Sequence, residues 1–152
     1  MLHCLQRFEA LSGVIVLDSN VISELMRERP EPKVLQWADA QASGTLWSCS
    51  ITLFELHFGL QRMAMGKKRD LLESRLLYFE AKILAGRVLD FDSGAAQAAA
   101  RYAAALAALG TPVDMRDVQI AGIVLRVKAK LASRNVKHFA ALEGLVINPW
   151  LD

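Results

Sequence analysis

The 152-residue chain has two cysteines, three histidines and four prolines. Cys4 and Cys49 are too few for a disulfide scaffold, which implies a reducing, cytoplasmic setting. His3, His57 and His138 are scattered, and no His/Cys set has the spacing of a zinc site. No uninterrupted apolar run approaches the ~18 residues of a membrane span, so no membrane association is expected. The first thirteen residues mix Arg7 and Glu9 with apolar positions and lack the continuous apolar core of a signal peptide. An excess of one charge is also missing. With 18 basic and 16 acidic residues the net charge is +2, which excludes a charged-tail protein. What the chain does have is apolar content, 53% hydrophobic residues. That excludes intrinsic disorder, and the length fits one domain with a real core.

Short β-branched or apolar runs alternate with helical patterns. Residues 14–17 read as a buried strand ending at the turn and cap residues Asp18, Ser19 and Asn20. Val21, Ile22, Leu25 and Met26 have helical spacing, and a second helix is expected over 33–42. Residues 45–49 read as a second strand, with Ser50 capping a helix over 51–62. A further amphipathic helix carries Leu71, Leu72, Leu76, Phe79 and Ile83, and 87–91 is a weak third strand. Ser93 is expected to cap an alanine-rich helix that ends near Gly110, read as tightly packed. A helix follows over about 114–127. Residues 130–133 and 145–147 complete the strands, with a short helix over 135–140 between them. This alternation predicts an α/β domain of three layers, α/β/α, around a mainly parallel central sheet.

Open parallel sheets bind ligands beyond the carboxyl ends of their strands. Asp18 stands at such an end, either as a helix cap or as a metal ligand. Glu55 lies on a helix that is apolar around most of its circumference and therefore expected to be buried. A carboxylate there needs a partner. The candidates are Arg62 or another basic side chain, or a cation shared with Asp18. Asp114 and Asp117 fall in a first helical turn, where acids complement the dipole. Asp117 also borders the core-like run Ile120, Ala121, Ile123 and Val124. Asn135 follows a strand as Asp18 does, as a cap or turn residue or as a site residue. Three carboxylates and one amide at strand ends or helix starts would raise one another's pKa or recruit a cation. Oxygen-only ligands favour magnesium or manganese over zinc.

The segment Ile15-Val16-Leu17-Asp18-Ser19-Asn20-Val21-Ile22-Ser23-Glu24 resembles the opening of PIN-domain toxins of the VapC and FitB kind. The likeness continues through Ser50-Ile51-Thr52-Leu53-Phe54-Glu55-Leu56, Asp117-Val118-Gln119-Ile120-Ala121, Ser133-Arg134-Asn135-Val136-Lys137-His138-Phe139 and Ile147-Asn148-Pro149-Trp150. It covers residues 14–152 in order. Residues 1–13 have no counterpart in that pattern and read as an N-terminal extension, from a misassigned start codon or as a short adornment. The resemblance implies a metal-dependent endoribonuclease, the toxin of a type II toxin–antitoxin pair. Asp18, Glu55 and Asp117 map to its acidic site, Asn135 to a fourth position, and Asn20 to a polar position beside the site. Many relatives carry Asp where His138 stands, a departure that weakens a two-metal arrangement.

On that resemblance Asp18 and Asp117 would be ligands of Mg²⁺ or Mn²⁺. Glu55 would be a ligand through water or an orienter of the attacking water, and Asn135 a holder of a water on the metal or of a phosphate oxygen. Arg116, Arg126, Lys128, Lys130, Arg134 and Lys137 would track RNA phosphates, or simply form a solvated face. The implied partners are a tRNA or rRNA substrate, a homodimer mate, a cognate antitoxin of the VapB or FitA type, and operator DNA bound with that antitoxin. The helices around Trp37 and 60–77 are a candidate antitoxin surface, with Trp37 as a core residue the other reading. The alternative function is a catalytically inactive PIN-like module that binds RNA or a partner.

Overall fold

The computed structural model describes residues 13–152. The expected N-terminal extension, with Cys4 and His3, lies outside the described residues apart from Gly13. Among the described residues five parallel strands form the sheet: β1 (Ile15–Leu17), β2 (Leu46–Cys49), β3 (Val88–Leu89), β4 (Lys130–Ala132) and β5 (Val146–Ile147). Their order is β3-β2-β1-β4-β5. The chain starts in the middle, runs outward through β2 and β3, then crosses back to β4 on the other side of β1. The reversal falls between β1 and β4, whose register pairs Leu17 with Ala132. Asp18 and Ser133 therefore leave the sheet side by side at the switch point, where parallel sheets bind ligands.

Alternation along the strands divides the core into the two expected halves. Val14, Val16 and Leu131 face α5 (Ser93–Ala108) and α6 (Met115–Val127). Ile15, Leu17 and Ala132 face Val21 and Ile22 of α1 (Ser19–Leu25) and Val34 of α2 (Pro32–Asp39). Phe79 and Leu84 join that second half from a π-helical turn (Phe79–Leu84) that continues α4 (Lys67–Tyr78). The alanines of α5 have a steric purpose. A Cβ added at Gly122 of α6 would stand 2.5 Å from the Ala95 carbonyl oxygen and 2.6 Å from the Ala99 Cβ. The two helices cross at backbone distance because both present almost no side chain there.

Caps differ from expectation in two places. Asp92, not Ser93, caps α5 by accepting the Ala95 N–H at 2.8 Å. Asp is at least as good a cap as Ser, and it stands one residue earlier. Ser50 does not cap α3 (Ser50–Gln61), which starts from Cys49 without a side-chain cap. Its hydroxyl instead accepts the Phe91 N–H at 3.2 Å and ties α3 to the end of β3. Nor is α3 buried all round. Thr52 and Leu60 are buried, while Phe54 and Phe58 are 69% and 52% exposed and stack on each other. No helix among the described residues is long and apolar enough to cross a membrane.

Candidate active site

Asp18 is fully buried and both its oxygens are engaged. Oδ1 accepts the Ser19 N–H at 2.8 Å and so opens α1. Oδ2 accepts the Ser133 hydroxyl at 2.7 Å and the Asn20 side-chain amide at 3.3 Å. The Asn20 carbonyl oxygen accepts the Arg134 N–H at 3.0 Å, which laces the loop after β4 to the start of α1. Ser133, also fully buried, accepts the Asn135 N–H at 3.1 Å. Asn135 thus joins this network through its backbone, while its side chain is exposed.

Glu55 and Asp117 meet through a third residue. Arg116 donates through Nη1 to Glu55 Oε1 and through Nη2 to Asp117 Oδ1, the second at 3.3 Å. The basic partner of Glu55 is therefore Arg116 and not Arg62, whose guanidinium lies over the Phe58 ring. Glu55 Oε2 is buried without a hydrogen-bond donor. Asp114 caps α6 by accepting the Asp117 N–H at 3.0 Å, which holds Asp117 in the first turn. His138 Nδ1 stands 3.1 Å from Asp117 Oδ2. Burial pushes the Asp117 carboxyl above the usual aspartate range and Asp114 adds to it, while Arg116 and His138 pull it back. Behind it, the Tyr102 hydroxyl is buried without a partner, and its phenol is pushed up by burial and by the Asp117 charge.

The loop that follows β4 spans both groups. It bonds to Asp18 through Ser133 at one end and to Asp117 through His138 at the other. A groove of about 680 Å³ runs past the same place, lined by Ser19, Ser23, Glu55, Phe58, Arg62 and Arg75. All four anticipated residues thus border one end of the sheet, but they stand in two sets. Among the described residues no three His, Cys, Asp or Glu side chains are grouped to hold a metal ion. The donor chemistry nonetheless fits a hard divalent cation, since it is all oxygen and includes an orphaned buried acceptor on Glu55.

Sequence reasoning missed two participants. Ser133 looked like the last residue of a strand. Its signal was positional, because it follows β4 as Asp18 follows β1. Arg116 reads in the sequence as one of the basic residues that would track RNA or form a solvated face, although it sits next to Asp117 and bridges it to Glu55.

A family model for the PIN domain matches residues 15–145. The chain belongs to the PIN-domain family. Within it, the chain groups with toxins of the VapC and FitB kind. It is 40% identical over 137 residues to the VapC ribonuclease Y4jK of Sinorhizobium fredii, covering 90% of this chain and 98% of that protein. The crystal structure of FitAcB from Neisseria gonorrhoeae superposes with a TM-score of 0.81 at 32% identity, covering 90% of this chain and 99% of that one. DNA-bound VapBC from Salmonella typhimurium gives 0.71 at 28% identity, covering 89% and 96%.

Proposed function

We propose that this protein is a divalent-metal-dependent endoribonuclease of the cytoplasm, the toxin of a type II toxin–antitoxin pair. The observation that carries the reading is the buried Asp18–Ser133–Asn20 network at the sheet's switch point, one short loop from Asp117. A nuclease of the PIN family needs acidic side chains at that edge, and a fully buried carboxylate there is more than a helix cap requires. Mg²⁺, or Mn²⁺ in its place, supplies Lewis-acid activation of water and charge neutralisation at the phosphate when bound. Asp18, Asp117 and Glu55 are its proposed ligands. Ser133 and Asn20 fix the direction of the Asp18 oxygens. Glu55, on the facing helix, would hold the metal through a water and orient that water. The exposed Asn135 amide donates to a phosphate oxygen. Arg134 and Lys137, exposed on the same loop, attract the RNA backbone without reading its sequence.

The proposed partners are a VapB- or FitA-type antitoxin, operator DNA bound with that antitoxin, and a second copy of the chain. The exposed apolar side chains of α3 and α4, Phe54, Phe58, Leu71 and Leu77, are the surface proposed for association. Trp37 is not part of it, because it packs against the core half formed by α1 and α2.

The test compares purified wild type with Asp18→Asn on tRNA and rRNA fragments, with Mg²⁺, Mn²⁺ or a chelator. Cleavage that needs metal and is lost in the variant is the expected result. Chelator-resistant cleavage, or equal cleavage by the variant, would sink the assignment. RNA that is bound but never cut would favour an inactive binding module.

A further inference from the structure

Arg116 stands where a cation between Glu55 and Asp117 would stand. A single guanidinium answers two carboxylates carried by two different helices, through two different nitrogens. It does not satisfy them fully. Glu55 Oε2 is left buried without a donor. The Arg116 side chain is only 33% exposed, so its charge also needs an anion close by. When a divalent cation takes these carboxylates, Arg116 must therefore change partners. The anion that arrives with the substrate is a phosphodiester, and the planar fork of arginine matches phosphate oxygens as well as carboxylate oxygens.

We propose that Arg116 is an exchangeable internal cation, bridging Glu55 and Asp117 in the metal-free protein, yielding them to a divalent metal, and then binding the phosphate of the RNA strand. The inference rests on the reading of the site as a metal-dependent nuclease. It makes one positive charge serve twice. Before loading, it keeps two facing acids from repelling each other. After loading, it becomes a phosphate contact placed beside the reacting bond. A purely structural Arg116 makes the opposite prediction for metal binding, because its removal would then disorder Glu55 and weaken the site.

The experiment titrates Mn²⁺ into the whole protein by calorimetry, for wild type, Arg116→Gln and Arg116→Lys. It then measures binding of a non-cleavable 2′-O-methyl RNA with Mn²⁺ present. Arg116→Gln is expected to bind Mn²⁺ roughly fivefold or more tightly than wild type, a typical coupling between two sites, and to bind the RNA more weakly by a similar factor. Arg116→Lys keeps the charge but not the fork, and its Mn²⁺ affinity is expected between the two. Equal or weaker Mn²⁺ binding by folded Arg116→Gln overturns the exchange while leaving the nuclease reading intact. Should the Gln variant not fold, an Arg116→Lys affinity at or below wild type overturns it equally. Unchanged RNA affinity overturns the hand-over to phosphate. A wild type that binds no Mn²⁺ sinks both the exchange and the metal-dependent reading beneath it.

Discussion

At Asp18 both carboxylate oxygens are met by donors on short tethers to the backbone: a main-chain N–H, a serine hydroxyl and an asparagine amide. At Glu55 and Asp117 the partners are the tips of Arg116 and His138, two side chains that are themselves a third and half exposed. One half of the site is fixed by the backbone of the switch point. The other half is held by groups that can move away. The contrast separates what the fold guarantees from what a ligand has to complete. A buried carboxylate without satisfied oxygens would be too costly to keep, so the fixed half has to be finished by the protein alone. The half nearer solvent can wait for its cation.

Four substitutions test that contrast, and the largest effect belongs to the fixed half. Asp18→Ala takes the acceptor from the Ser133 hydroxyl and from the Ser19 N–H, while Asn20 keeps its 3.4 Å contact to Ser133 Oγ. The change costs about 1–3 kcal/mol per orphaned group in a denaturant titration. RNA cleavage by that variant should vanish as well. Ser133→Ala keeps the carboxylate but leaves Oδ2 with only the Asn20 amide at 3.3 Å. A 10- to 100-fold loss of metal affinity or activity is expected, the usual range for a group that orients a ligand, and calorimetric titration would measure it. An effect below about twofold would mean that Ser133 does not orient Asp18.

In the exchangeable half the same kind of change should cost little or nothing in stability. Burial raises the Asp117 carboxyl, so its folded form holds a proton more tightly than the unfolded chain does. The sign then follows. That contribution to stability is fully present below the ordinary aspartate range and is lost as pH rises through the raised value. In chelator at neutral pH, Asp117→Asn should therefore melt higher than wild type, even though it should not cut RNA. A lower melting point for Asp117→Asn would show that Arg116 and His138 outweigh the burial. Smallest of all is Tyr102→Phe. It removes a buried hydroxyl that has no partner, and should be neutral or slightly stabilising in a thermal melt.

Much of this was legible in the residue pattern. The short apolar strand runs, the helical runs between them and the acids at their ends define a parallel α/β sheet, and Asp18, Glu55, Asp117 and Asn135 all fall at one end of it. What the pattern could not supply was strand order. Nothing local says that β4 lies beside β1, and without that neighbour Ser133 is an ordinary serine after a strand. Cap choice was lost for a related reason. Asp92-Ser93 and Cys49-Ser50 each place a serine beside the helix start, and only the backbone decides which residue of the pair faces the free N–H groups. The exposure of Phe54 and Phe58 also escaped the pattern, because an apolar helix looks alike whether its second face meets the core or a partner. Arg116 was obscured by its own charge, since a basic residue in a nuclease is read first against RNA.

Gly122 carries a consequence for Asp117, which lies five residues earlier on the same helix, roughly 7.5 Å along its axis. The contact with α5 is made by main chain and the Ala99 Cβ, none of which can flex or repack. A single methyl at this point would pry the two helices apart, and the displacement would run up α6 to the carboxylate at its head. The aim of that oxygen pair is thus governed by a hydrogen atom on the far side of the helix. Chemistry at one end of the protein depends on an emptiness at its centre.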